Sequence, residues 1–186
     1  MKIAVSQEGH AHFSWEQLGD VAEGRPNMGE NVPVVIYRCL EFALYDVLCH
    51  RLGRETADDL MREAGFKTGM EFATHSLDLS LPLDAFLTSL AARLLNLKMG
   101  ILRVEQLDSQ TGEFTLTIAE DLDCSGLPLT GEVVCKYDEG FLAAIFEAYT
   151  RQSYEVREID CWASGYKVCR FRGKRLEKGE ISDVKW

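Results

Sequence analysis

Residues 153–172 read Ser153-Tyr154-Glu155-Val156-Arg157-Glu158-Ile159-Asp160-Cys161-Trp162-Ala163-Ser164-Gly165-Tyr166-Lys167-Val168-Cys169-Arg170-Phe171-Arg172. Apolar and charged side chains alternate on both sides of Ser164-Gly165-Tyr166, the period of two that a half-buried strand requires. The stretch therefore predicts an antiparallel hairpin, with strands over Ser153–Cys161 and Lys167–Arg172. Cys161 and Cys169 keep the same side-chain parity about a symmetrical turn, so both thiols share one face. Glu158 has the opposite parity to Cys161, and only a bulge or a strand end brings it to that face.

Working outward, Phe141–Tyr149 has the apolar spacing of a helix with an acidic flank. Ile101–Gln106 and Glu113–Ala119 form a second strand pair around Asp108–Gly112. Before them the pattern is helical. Pro33 opens a helix over Val34–Leu52, with Ile36, Leu40, Ala43, Leu44, Val47 and Leu48 at helical spacing, and Gly53 stops it. Arg54–Ala64 continues as a second helix, Gly65–Gly69 breaks it, and Met70–Thr74 resumes. Asp84 caps a further helix to about Asn96, with Phe86, Leu87 and Leu90 among its apolar residues. Helices, a hairpin, a helix and a hairpin make an α+β fold, helices packed on one face of a mainly antiparallel sheet. Turn residues crowd the first thirty positions, so 1–30 reads as an arm, 31–175 as the domain and 176–186 as a charged tail.

The chain has 186 residues, with 30 acidic against 20 basic, a formal charge of −10. That length suits one domain with a core that needs no disulfides. The acidic balance argues against nucleic acid and against an anionic membrane surface as partners. No apolar run approaches the ~18 residues of a membrane span. Met1–Val5 runs into polar residues with no apolar leader, which points to the cytoplasm. In that compartment grouped cysteines more often signal metal or redox chemistry than structural disulfides.

Of the six cysteines, Cys39 and Cys49 fall within the apolar helix and read as small core residues. Cys124, Cys135, Cys161 and Cys169 fall in the last third. Thiolates with a carboxylate suit tetrahedral Zn2+, and a fully protein-coordinated site is structural. Cys135 with Glu158, Cys161 and Cys169 is one such set, and Cys124 competes with Glu158 for the fourth place. Four buried idle thiols, or a Cys161–Cys169 disulfide, are the alternatives that spacing alone leaves open.

Two stretches carry a family resemblance. Val134-Cys135-Lys136-Tyr137-Asp138-Glu139-Gly140-Phe141-Leu142-Ala143-Ala144 resembles the Cys-then-Gly-Phe-Leu helix entry of 4-vinyl reductase domains. Glu155–Phe171 resembles their closing motif, E-x-x-C-x-A-x-G-x-x-x-C-x-F. The resemblance covers the C-terminal third closely, the region from about Val32 loosely, and residues 1–30 not at all. It implies a fold like that of the small TRAPP vesicle-tethering subunits, often dimeric, and a role in binding a hydrophobic small molecule. It further implies a structural zinc held by Cys135, Glu158, Cys161 and Cys169. Cys124 departs from the aromatic-sensor pattern and permits a four-thiolate site instead.

The family also suggests an apolar pocket between helices and sheet, lined by Phe86, Leu90, Phe114, Phe141, Ile145 and Trp162. His10 and His12 would share one side of a strand as a weak ligand pair, and His50 suits a helix C-terminus. Asp58-Asp59 and Glu120-Asp121 read as solvated carboxylates. No phosphate loop, nucleophile elbow or dinucleotide fingerprint is present. The expected function is a small-molecule-binding or sensory module, a homodimer that signals to or supplies a partner protein. An accessory of a reductase or tetrapyrrole pathway and a structural assembly dimer are the alternatives.

Overall fold

The computed structural model describes residues 13–177. After a short turn of helix at Trp15–Leu18 come α1 (Val21–Gly24), α2 (Val34–Leu52), α3 (Arg54–Ser76) and α4 (Leu83–Asn96). Strands β1 (Ile101–Leu107) and β2 (Phe114–Ala119) follow, then α5 (Lys136–Thr150), β3 (Tyr154–Asp160) and β4 (Val168–Arg175). The sheet order is β1-β2-β4-β3, every neighbouring pair antiparallel. The α+β expectation stands. His10 and His12 lie outside the described residues, and no helix within them is long and apolar enough to cross a membrane.

The layers build inward from amphipathic faces. Helix α5 lies on the sheet and is buried almost throughout, from Asp138 to Phe146 and at Ala148. Phe114 of β2 stacks on Phe146 of α5 at 4.0 Å between ring centroids, and Phe86 of α4 stacks on Tyr149 at 4.0 Å. Offset aromatic pairs of this kind add to the area they bury. The opposite face of the sheet carries Arg157, Arg170 and Arg172 and stays polar, as a one-sided antiparallel sheet should.

Helix α3 covers α5, and here the structure corrects the expected break. Gly65 and Gly69 do not interrupt the helix; α3 runs unbroken from Arg54 to Ser76. The glycines instead let α5 approach. A Cβ on Gly65 would sit 2.0 Å from the Tyr137 carbonyl oxygen, and one on Gly69 2.4 Å from that of Phe141. Gly140 answers from α5, where a Cβ would sit 1.9 Å from the Arg62 carbonyl oxygen. Absence of side chain at three positions, rather than backbone freedom, sets this crossing. Beside it Glu139, 1% exposed, takes a 2.6 Å hydrogen bond from Arg62 Nε and lies 3.3 Å from Lys136 Nζ. A buried carboxylate is tolerable only with such partners.

Helix α2 is a second correction. None of its residues is buried. Ile36, Leu40, Leu44 and Val47 are exposed, Leu40 at 71%. Its polar residues point inward. Tyr37 donates to Asp123 Oδ1 at 2.9 Å, Arg38 Nε to the Leu122 carbonyl at 2.8 Å, and Tyr45 to Asp58 Oδ1 at 2.6 Å. The helix is thus anchored by hydrogen bonds and shows its apolar stripe to solvent. Cys39 is exposed and Cys49 half-buried, so neither is the core residue expected from the pattern. The domain assignment gains one detail at its start: Trp15 stacks on His75, and its N–H donates to Glu71.

Candidate metal centre

Three loops or element ends meet beneath the hairpin. The 120–135 segment supplies Cys124 and, as the residue preceding α5, Cys135. Cys161 follows the end of β3, and Cys169 lies on β4 opposite Ile118 of β2. The bulge that parity demands is present: the β3–β4 register shifts between Glu158 and Asp160. Glu158 and Cys161 therefore both turn inward, while Ile159 between them is 40% exposed.

All four thiols are buried, and their sulfurs lie within 4.8 Å of one another. Cys135 Sγ is 3.9 Å from Cys161 Sγ and 3.8 Å from Cys169 Sγ, and Cys124 Sγ is 3.0 Å from Cys169 Sγ. Four thiolates at about 2.3 Å from one tetrahedral ion would stand about 3.8 Å apart. The donor set thus fits a single thiophilic ion and is too tight for a multi-iron cluster. Packed so closely, the four thiols cannot all ionise without a cation among them. Hydrogen bonds from Cys124, Cys135 and Cys169 favour the Cys161 thiolate, which pushes that group down. The thiols of Cys135 and Cys169 go up, with Cys124 the leading cause for both.

Glu158 is not one of the four converging donors. Its Oε2 accepts the Cys135 backbone N–H at 2.9 Å, and its own N–H donates to Glu139 Oε1 at 3.0 Å. The second carboxyl oxygen, Oε1, is buried without a partner. Burial, followed by the neighbouring Cys161, pushes Glu158 up to about 8. The structure therefore gathers Cys124 with Cys135, Cys161 and Cys169, and sets Glu158 as the clamp that holds Cys135.

Asp121 corrects a third expectation. It is not solvated but 2% exposed, and its Oδ1 accepts the N–H groups of Asp123 and Cys124 at 2.9 and 3.1 Å. The carboxylate folds the Cys124 loop into an Asx turn. Asp123 and Asp138 are buried beside it, and burial raises both well above the carboxylate range. Glu41 of α2 faces this group and is pushed up to about 7 by burial and then by Asp121. Sequence reading missed this acidic layer. Its signal was Tyr37, Glu41 and Tyr45, a polar stripe at helical spacing in an otherwise apolar helix.

The expected pocket residues are placed as follows. Phe86, Leu90, Phe114, Phe141 and Ile145 belong to the close-packed core, none more than 2% exposed. Trp162 is half-buried and donates its Nε1–H to the Leu127 carbonyl at 3.0 Å. A cavity of about 510 Å3 lies elsewhere, between α2, the start of α3 and residues 127–136. Its walls include Phe42, Tyr45, Met61, Leu127, Val133 and Val134.

Comparison with known proteins places this geometry. The family model of the 4-vinyl reductase (4VR) domain matches residues 114–175. The phenol-responsive sensory domain of the transcription activator PoxR, solved with phenol, is 16% identical with a TM-score of 0.64 over 85% of this chain and 84% of that one. A vinyl-4-reductase family protein from Methanocaldococcus jannaschii is 14% identical, with a TM-score of 0.59 over 89% and 98%. Subunit 3 of the trafficking protein particle complex from Naegleria fowleri, covalently bound to palmitic acid, is 14% identical, with a TM-score of 0.58 over 77% and 97%. These likenesses are of fold.

Proposed function

We propose, from the premise that residues 114–175 are a 4-vinyl reductase domain, that this chain is a sensory or carrier module for a hydrophobic small molecule. Its hairpin is pinned by a structural Zn2+ at Cys124, Cys135, Cys161 and Cys169. The observation that carries the metal part is the convergence of four buried sulfurs at tetrahedral spacing. Bound there, the ion would neutralise thiolates and cross-link three separate segments of the chain. With all four positions taken by protein, it has no open position for substrate. The Cys135 N–H to Glu158 bond supports the site from outside, in the way that outer partners orient metal ligands.

Ligand binding has two supports: the fold shared with a phenol-bound sensory domain and a palmitate-bound subunit, and the presence of a large apolar cavity. The chain acts as a homodimer. Ile36, Leu40, Ala43 and Val47 recur at spacings of four, three and four, the seam of a helix pair, and that seam lies on the outside of α2. A second copy would cover it. A protein partner then reads the ligand-dependent state in the cytoplasm. Native mass spectrometry of freshly purified protein tests the reading: two chains, one zinc per chain and a retained organic mass are expected. A metal-free protein of unchanged stability would refute the zinc. A zinc-loaded dimer that binds no apolar compound would refute the sensor and favour a purely structural assembly subunit, the reading that the α2 stripe serves equally well.

A further inference from the structure

The cavity beneath α2 and the cysteine centre share one piece of chain. Residues 125–134 run between Cys124 and Cys135, and they form the outer wall of the cavity, with Leu127, Pro128, Thr130, Val133 and Val134 facing it. The wall is fastened at three points to the turn that follows Cys161. Trp162 Nε1–H donates to the Leu127 carbonyl, and the N–H groups of Thr130 and Gly131 donate to the Ala163 carbonyl at 2.8 and 2.9 Å. Ala163 itself lines the cavity. Thus both ends of the wall, and the turn that holds its middle, lie at or beside the four cysteines.

The opposite wall is the inner side of α2, held to the same region through Arg38, whose guanidinium donates to the carbonyls of Leu122 and Ser125. The lining is predominantly apolar. Its charged members are already engaged: Arg54 and Glu132 form a bidentate pair at the rim, at 3.1 and 2.5 Å, and Lys136 faces Glu139. An anionic ligand would have to break such a pair, whereas an uncharged one leaves them intact. A shallower apolar groove of about 520 Å3 adjoins the cavity and shares Phe42 and Leu127 with it. The residues of α2 that border the two, from Val34 to Cys49, extend over about 22 Å of helix.

We propose that this cavity, and not the close-packed core between helices and sheet, is the ligand site, that it takes an uncharged, elongated apolar molecule, and that the cysteine centre holds its wall in place. The inference rests on the small-molecule reading above and fixes where, and under what control, the molecule binds. Binding and metal occupancy are then coupled, and the coupling is reciprocal: each tightens the other by the same factor. Helix α2 carries the apolar seam on its outer side and the cavity on its inner side, so filling the cavity bears directly on the element that would pair with a second copy.

The test uses the uncharged fluorescent probe N-phenyl-1-naphthylamine with the full-length, zinc-loaded protein. Val133→Trp and Thr130→Trp each place an indole in the cavity, Thr130 from an exposed position that folding does not depend on. Both are expected to weaken the probe about tenfold or more, as blocked apolar contacts should. Removing zinc by chelation should weaken it similarly, and saturating probe should slow zinc release. Unchanged affinity in both tryptophan variants, with Phe114→Leu altering it instead, would move the ligand to the core and overturn this inference while leaving the sensory reading intact. Affinity indifferent to zinc would overturn the coupling. Loss of the dimer together with the probe in Thr130→Trp would assign the cavity to the subunit interface and likewise overturn it. No probe binding by intact zinc-loaded protein would overturn the sensory reading itself.

Discussion

Gly140→Ala is the perturbation whose cost the structure allows to be worked. The new methyl would lie 1.9 Å from the Arg62 carbonyl oxygen, 2.7 Å from its carbon and 2.9 Å from the Phe66 nitrogen. All three are backbone atoms of α3, so no rotamer change relieves the clash. Ordinary contact begins at 3.4 Å, so α3 and α5 must part by about 1.5 Å, the difference between 3.4 and 1.9. Overpacking of this kind costs about 1–3 kcal/mol, at the upper end where backbone must move. Loosening the 2.6 Å Arg62–Glu139 bond adds about 1 kcal/mol more, and the better helix propensity of alanine returns about 1 kcal/mol. The net loss is about 3 kcal/mol, a fall of roughly 1–1.5 M in the urea midpoint. Because Cys135 immediately precedes α5, the same displacement spreads the sulfur cluster and weakens metal binding. Gly65→Ala forces the same separation from the other side. The double variant should therefore cost less than the two single losses together. Gly24→Ala, with nothing within 4 Å, is the control. A Gly140→Ala protein with wild-type midpoint and zinc affinity would refute the close-crossing argument.

Three further outcomes follow from the same contacts. Arg62→Met leaves the buried Glu139 facing only Lys136 and Arg157 and should cost about 3 kcal/mol in urea unfolding; a loss below 0.5 kcal/mol, about the size of a surface effect, would contradict it. Glu41 is neutral in folded and unfolded chains below its ordinary value of 4.5. Between there and about 7 the folded state keeps a proton that the unfolded chain has released, so its contribution to stability falls as pH rises. Glu41→Gln should thus match wild type near pH 4.5 and exceed it by on the order of 1–2 kcal/mol at pH 8, after allowance for partial solvent access; equal melting across that range would contradict the assignment. Leu40→Glu places a charge in the outer seam of α2 and should convert the dimer to monomer in light scattering with little change in melting, whereas an unaltered dimer would place the interface elsewhere.

The fold was legible where one periodicity explained one element. The two hairpins, the stop at Gly53 and the closing bulge all followed from alternation, turn residues and parity. Reading failed where a residue had two physical uses. Glycine lowers helix propensity and also allows close approach, and only the partner helix shows that Gly65 and Gly69 do the second. The apolar residues of α2 looked like a core face because periodicity gives the existence of a stripe and not the direction it faces. Its polar stripe, Tyr37, Glu41 and Tyr45, was the overlooked counter-signal. Cys124 against Glu158 could not be decided from spacing, since the choice depends on how the 120–135 segment folds over the hairpin. Asp121, which looked like surface charge, is the residue whose carboxylate shapes that fold.

The central claim is a four-thiolate ion pinning the hairpin, and zinc K-edge X-ray absorption on the purified protein tests it most directly. The account predicts four sulfur neighbours at about 2.3 Å and no oxygen in the inner shell. Cys124→Ser should convert one sulfur to oxygen or lose the ion, while Glu158→Gln should leave four sulfurs and weaken affinity about 10–100-fold. Three sulfurs and one oxygen in the wild-type protein, with that oxygen lost in Glu158→Gln, would contradict it.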